Sequence, residues 1–162
     1  MTAPGPHVPV TSSTHAFAVT MYAGMIVLGV AHVAGIISSR AIQEVLDPPW
    51  EQLWAGLHLI GPIMAAAGAL LAAHRKLPIY SMSAELVGCT VFALTKATYV
   101  VSLFVVYGLQ GGPSTQIMGA GIALGCAARA TQVGLELHRL VAAAHATTCL
   151  LYTSDAADDS LR

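Results

Sequence analysis

Four charged residues lie inside otherwise apolar segments, and they are the side chains best placed to do chemistry. Glu85 and Lys96 are eleven positions apart in one segment, and Arg129 and Glu136 are seven apart in the next. Both spacings are close to whole helical turns, so each pair shares a face of a helix. If a hairpin turn at Gly111-Gly112-Pro113 joins the helices, Glu85 lies level with Glu136. Arg129 is then offset from Glu85 by ~10 Å along the axis, a distance that two long side chains can span.

Two interpretations of these charges stay open at this stage. A charge inside a bilayer costs about 2.5–3.5 kcal/mol on insertion scales, so such groups usually pair with each other or line water. Glu85, Lys96 and Arg129 could therefore form a polar path for protons or ions. Alternatively, Glu85 and Arg129 form an ion pair between two helices, and Lys96 reaches the interface or is capped by backbone carbonyls.

Histidines in the first two apolar segments are the candidate ligands. His32 lies near the end of the first segment and His58 about one turn into the second. Histidines on adjacent transmembrane helices can hold a haem or metal between them. The alternative is a pair of hydrogen-bonded interfacial histidines. One histidine per helix is a weak signal, so we expect no cofactor and no metal site, and treat His32 and His58 as possible ligands only.

The composition excludes several classes of protein. The chain has 162 residues, of which 56% are hydrophobic and 9% are charged, against about 45–50% and about 25% in soluble domains. Disordered chains have low hydrophobicity and high net charge, so this composition excludes disorder. A net charge of −1 gives no basic surface for nucleic acid. The three cysteines form no CxxC pair. The sequence holds no GxSxG, HExxH or P-loop motif, so we expect no enzyme and no catalytic residue.

The apolar segments predict the architecture. They cover about residues 16–37, 53–73, 82–109 and 117–140, and a bilayer core of ~30 Å needs about 20 residues per helix. Backbone groups in lipid must bond within the segment, which favours helices. The prediction is an all-α polytopic membrane protein, with four transmembrane helices in one antiparallel bundle over residues 15–148. Residues 38–47 predict a short interfacial helix, and residues 1–14 a flexible tail.

Basic residues near the helix ends predict the orientation. Arg75 and Lys76 lie between the second and third segments, and Arg139 follows the fourth. These positions fall on one side of a four-helix protein, and the positive-inside rule makes that side cytoplasmic. We therefore expect a multi-pass protein of the inner (cytoplasmic) membrane with both termini in the cytoplasm.

Small residues recur at helical spacing on two segments. Gly121 and Gly125 form a GxxxG pattern, and Gly61, Ala65 and Ala69 form a similar stripe on the second segment. Such patterns let two helix backbones approach closely. The sequence leaves open whether they join copies of the chain or pack helices within one bundle.

The last residues differ in composition from the rest. Cys149 through Asp158 is a translation of the sequencing-adapter sequence TGTCTCTTATACACATCTGACGCTGCCGAC. Such segments are excluded from fold reasoning. We therefore expect residues 149–162 to be an adapter-derived artefact without ordered structure.

The predicted architecture resembles that of small four-helix membrane proteins that are described as holins and come from phages of high-GC actinobacteria. The shared features are the pair Pro49-Trp50, Glu85 followed by Gly88, the aromatic Tyr99, and the stretch Ala127-Ala128-Arg129-Ala130. The resemblance covers about residues 16–140. It implies membrane permeabilisation by a homo-oligomer, with a lysis protein as a partner and no assigned catalytic residue.

The leading hypothesis is therefore a holin-like protein of phage or phage-like origin, with the lipid bilayer and further copies of itself as partners, and no nucleic acid. One alternative is a small transporter, channel or proton-coupled protein that uses Glu85, Lys96 and Arg129. A second alternative is a membrane subunit without chemistry of its own.

Overall fold

The computed structural model of the chain describes residues 12–72, 78–108 and 113–159, and within these ranges it contains helices and no strand. The all-α prediction is therefore confirmed. The helices are α1 (Ser12–Val33), α2 (Arg40–Val45), α3 (Pro48–Ala72), α4 (Pro78–Tyr107) and α5 (Pro113–Asp159).

The helix ends have local causes in the sequence. Helices α3, α4 and α5 begin at Pro48, Pro78 and Pro113, because proline suits the first turn of a helix, where its missing N–H is not needed. These starts precede the predicted apolar segments by four or five residues, since prolines and polar residues join the first turn. Helix α1 ends at Val33, four residues before the predicted end, because Gly35 adopts a left-handed φ of 69° and closes the helix.

The helices pack in a chain of neighbours. Helix α1 packs on α3, α3 on α4 and α4 on α5, whereas no comparable contact joins α1 to α5 among the described residues. The α3 and α4 backbones approach each other closely. A Cβ added at Gly68 or Gly88 would collide with the backbone of the facing helix. The result is a bundle that is open along the α1–α5 side.

The predicted hairpin register of α4 and α5 is confirmed to within about two residues. A Cβ at Gly134 would lie 3.7 Å from Leu86, and one at Gly119 would lie 2.8 Å from Val100. The prediction placed Glu85 level with Glu136, and these contacts place it level with a residue one or two positions earlier on α5. The turn residues 109–112 themselves lie outside the described residues.

Two of the predicted spans, α3 and α4, are long and apolar enough to cross a membrane. The apolar part of α1, Phe17–Val33, is shorter, and α5 carries Arg129 and Glu136 within its apolar stretch. The basic loop with Arg75 and Lys76 lies outside the described residues.

The chain termini differ from the prediction. Residues 149–159 continue α5 as helix to Asp159, where the sequence predicted no ordered structure. Extending an existing helix avoids the cost of nucleation, and the alanines and leucines of this segment are good helix formers. Helix α1 likewise begins at Ser12, inside the predicted tail, and residues 1–11 lie outside the described part of the chain.

Candidate functional site

Glu85 of α4 and Arg129 of α5 form an ion pair in which the carboxylate is buried and the guanidinium is partly exposed. Arg129 Nε donates to Glu85 Oε1 at 2.8 Å, and the exposed fractions of the two side chains are 37% and 4%. Tyr22 of α1 also donates its hydroxyl to Glu85 Oε1, at 3.2 Å. Of the two interpretations of these charges, the structure therefore contains the interhelical ion pair. Sequence reasoning missed Tyr22, whose only signal was a hydroxyl within an apolar segment.

The other predicted members of this group lie differently. Glu136 is exposed on α5 and forms no ion pair with the described residues, so it does not join Glu85. Cys89 is buried with its Sγ 3.2 Å from the Tyr22 hydroxyl. Cys126 is also buried, and both cysteines are free thiols, as expected for packing residues.

The two candidate histidines do come together, within a cluster of rings. The ring centroids of His32 and His58 are 5.2 Å apart. Trp54 lies 5.0 Å from His58 and 5.5 Å from His32, and Phe92 lies 5.0 Å from His58 on a third side. The sequence predicted the proximity of the histidines but not the rings around them.

Trp50 and Trp54 lie one turn apart near the start of α3, an arrangement that is typical of an aromatic anchor at a membrane interface. The structure separates them, because Trp50 is 61% exposed whereas Trp54 is 6% exposed. Trp54 Nε1 donates to the backbone carbonyl of Thr95 at 3.0 Å, so Trp54 joins α3 to α4.

The two histidines differ in whether their ring nitrogens form a hydrogen bond within the described residues. His32 Nδ1 lies 2.9 Å from the carbonyl oxygen of Leu28, and since a carbonyl only accepts, this nitrogen carries the proton. His58 is fully buried, and neither of its ring nitrogens has a partner among the described residues.

This arrangement does not fit a haem or metal site. Axial ligation places the iron and the porphyrin between two imidazoles, but the rings of His32 and His58 contact each other directly at 5.2 Å. No group of three or more His, Cys, Asp or Glu side chains lies close enough to hold a metal in the described part of the chain. We therefore derive no chemistry from a ligand role for this pair.

Lys96 is a buried cation without an acidic partner. The residue is 5% exposed, and no carboxylate of the described residues lies within ion-pair distance of it. Its Nζ lies 5.4 Å from the ring centroid of Phe92 and 5.7 Å from that of Tyr99. Cation–π contacts thus surround Lys96, rather than the interface or the backbone carbonyls that the sequence suggested.

Two separate cavities lie between α1 and α5 along the open side of the bundle, and we refer to the two together as the α1–α5 groove. The first has a volume of about 290 Å³, and its lining includes Leu28, His32, Trp54, Lys96, Tyr99 and Ile122. The second, about 220 Å³, lies further along the same two helices, and its lining includes Phe17, Met21, Tyr22, Gly125, Cys126 and Arg129. One end of the groove therefore reaches Lys96, and the other reaches the ion pair.

The small-residue stripes serve different surfaces. Gly61, Ala65 and Ala69 are buried, and a Cβ at Gly61 would lie 3.1 Å from Phe92, so this stripe packs α3 against α4. In contrast, a Cβ at Gly121 or Gly125 would meet nothing within 4 Å. The α5 pair is therefore not used for packing within the bundle.

Comparison with known proteins does not assign the chain to a family. A scan against protein-family models, a search of curated proteins and a search of solved structures each found no match. The function is therefore argued from three features: the unpacked glycines of α5, the ion pair, and the groove with its buried lysine.

Proposed function

We propose that the chain is a holin-like integral membrane protein that assembles into homo-oligomers and permeabilises the membrane. The observation that carries this proposal is the unpacked glycine pair of α5, Gly121 and Gly125. The proposal also requires that the chain lies in a membrane.

The exposed surface favours a lipid environment. Large apolar side chains point outward from every long helix, including Val27 of α1, Leu94 of α4 and Leu124 of α5, which are 70%, 63% and 71% exposed. Apolar surface of this extent marks a protein or membrane contact. We propose that α1 and α5 cross the inner membrane together with α3 and α4, with both termini in the cytoplasm.

Helix association in lipid requires close backbone approach. Lipid tails are as apolar as leucine, so helices associate through small residues and polar contacts rather than through hydrophobic burial. Gly121 and Gly125 offer such a surface, flanked by Ile117 and Met118 that are 70% and 68% exposed. The corresponding stripe on α3 is already occupied by α4, which leaves α5 for contact between copies.

The charges suit an assembly that encloses water. Arg129 lies one turn beyond Gly125, so it shares that face of α5, and 37% of its side chain is exposed. A charge at this depth is tolerated where it faces a water-filled space. An oligomer built on the glycine face would therefore bring several arginines next to its lumen.

The experiment replaces both glycines of the proposed interface. The Gly121→Leu/Gly125→Leu protein, expressed in bacteria, is expected to lose chemically cross-linked oligomers and toxicity together, because leucine keeps the helices apart. Gly24→Leu/Gly56→Leu is the matched control, since a Cβ at these positions also meets nothing within 4 Å. Unchanged toxicity of the α5 variant, at equal amounts in the membrane, would contradict the proposal.

Coupled transport is the second candidate, favoured by the groove that reaches both Lys96 and Arg129. In that case Glu85→Gln is expected to abolish proton-coupled flux in proteoliposomes while the fold is retained. Unaffected flux would leave Glu85 with a purely structural role. If neither permeabilisation nor flux is observed, the accessory-subunit alternative is the one left.

A further inference from the structure

Lys96 needs a counter-charge that the described residues do not supply. Its side chain is buried and lines the first cavity of the groove, and no aspartate or glutamate of the described residues lines that cavity. Cation–π contacts with Phe92 and Tyr99 offset part of the cost of burying the ammonium group, but each is weaker than an ion pair. A buried cation that opens onto a cavity lined by no described carboxylate favours an anionic ligand.

The cavity offers further donors toward such an anion. The hydroxyl of Ser39 accepts from the Ile42 N–H, so its own proton stays available for donation. Ser39, Tyr99 and Thr115 all line the cavity together with Lys96. Hydroxyl donors and an ammonium group that line one cavity match the oxygens of a phosphate.

Apolar side chains line much of the rest of the groove, which also contains Arg129 and Gln132, and they indicate the class of ligand. Leu28 and Ile122 line the cavity beside Lys96, and Met21 and Phe17 line the groove beyond them. From position 28 to position 17 the α1 backbone rises by ~16 Å, enough for a long stretch of an acyl chain. Since α1 and α5 do not pack closely, a chain can enter from the side.

We propose that the α1–α5 groove binds an anionic phospholipid, with its phosphate against Lys96 and one acyl chain along α1. A zwitterionic lipid fits less well, because its own cation would approach a site that already holds an unpaired ammonium group. The inference rests on the membrane location given under the proposed function, but not on permeabilisation. Gly125 lines the same groove, so a bound acyl chain and a second copy of the protein would compete for that part of α5.

The test uses Trp54 as a reporter, since it lines the cavity. The chain has two tryptophans, and Trp50→Phe removes the exposed one. The full chain with this change is titrated in detergent with dioleoylphosphatidylglycerol, dioleoylphosphatidylcholine or inorganic phosphate while Trp54 emission is followed. We expect phosphatidylglycerol to bind about tenfold more tightly than phosphatidylcholine, because both lipids offer the phosphate to Lys96 but only phosphatidylcholine brings a second cation near it.

Three variants assign the preference to Lys96. We expect the neutral substitutions Lys96→Met and Lys96→Gln to remove the preference for phosphatidylglycerol. We expect Lys96→Arg to retain this preference, because arginine keeps the charge. Arg40→Gln is the matched control, because Arg40 is an exposed cation of α2 that pairs with Glu44. Circular dichroism of each variant establishes that it is folded.

Other outcomes overturn the inference. Equal affinity for the two lipids in the parent protein would do so without any variant, as would an unchanged preference in both neutral variants. Inorganic phosphate that saturates the response and competes with the lipid would identify a free anion as the ligand instead. A chain recovered from the soluble fraction would overturn the proposed function as well, whereas a non-toxic membrane protein that prefers phosphatidylglycerol would overturn permeabilisation alone.

Discussion

Replacing Arg129 with methionine tests the buried ion pair most sharply. The substitution keeps most of the aliphatic volume but leaves the Glu85 carboxylate buried at 4% exposure, with Tyr22 as the one remaining donor among the described residues. We expect the free energy of unfolding to fall because an uncompensated buried charge is left behind.

The magnitude follows from the geometry of the pair. Two unit charges 2.8 Å apart attract each other by about 6 kcal/mol at an effective dielectric constant of about 20. Arg129 keeps 37% of its side chain exposed, and solvent screening reduces this attraction to roughly half. The expected loss is therefore about 3 kcal/mol, the lower end of the range for breaking a buried pair.

A double-mutant cycle separates the interaction energy between Glu85 and Arg129 from the effect of replacing each residue alone. Glu85→Gln is expected to cost only about 1 kcal/mol, because glutamine still accepts from Tyr22 and Arg129 can turn toward solvent. The Glu85→Gln/Arg129→Met protein is expected to lose about 1 kcal/mol rather than the sum of about 4, since it contains no unpaired buried charge.

The assay is equilibrium unfolding of the detergent-solubilised chain in increasing sodium dodecyl sulfate, followed by circular dichroism. Arg40→Met is the matched control, and we expect it to unfold like the parent, because the Arg40 side chain is 81% exposed. Losses that simply add, to within about 0.5 kcal/mol, would refute the assignment of a coupled buried pair.

The remaining predictions concern packing and use the same unfolding assay. His58→Leu is expected to raise the free energy of unfolding by about 1–3 kcal/mol, because it removes two unsatisfied buried nitrogens; a loss of stability would show that His58 has a partner. Gly88→Ala is expected to destabilise by about 1–3 kcal/mol, since its Cβ would lie against Ala65 and 2.6 Å from the Gly61 carbonyl. Gly56→Ala has open space and is expected to stabilise by up to about 1 kcal/mol through helix propensity; the same sign for both glycines would contradict the close α3–α4 contact.

Sequence reasoning predicted the features that depend on one helix or on one hairpin. The apolar segments predicted the long helices, because hydropathy and length are properties of each segment. The register of α4 against α5 followed from the short turn, and with it the reach of Arg129 to Glu85. The pair became predictable because each side chain is long and the rise per residue is constant.

Features that depend on how helices rotate about their axes were not predicted. Trp54 lies near the start of its helix, where tryptophan usually marks an interface, yet α4 covers it. Tyr22 joins the ion pair because α1 turns that face inward. The two glycine stripes have similar spacing, and only the packed bundle separates the one that α4 occupies from the one that is free. Rotation is decided by contacts among several helices, which single-segment patterns do not contain.

Membrane potential measured in single bacterial cells tests the central claim most directly. The chain is induced, and a voltage-sensitive dye is followed over time alongside the amount of protein in the membrane. Assembly through Gly121 and Gly125 predicts a normal potential up to a threshold amount and then an abrupt collapse, which the Gly121→Leu/Gly125→Leu protein does not produce. A steady potential at high expression, or the same gradual decline with both proteins, would contradict permeabilisation by oligomers built on α5.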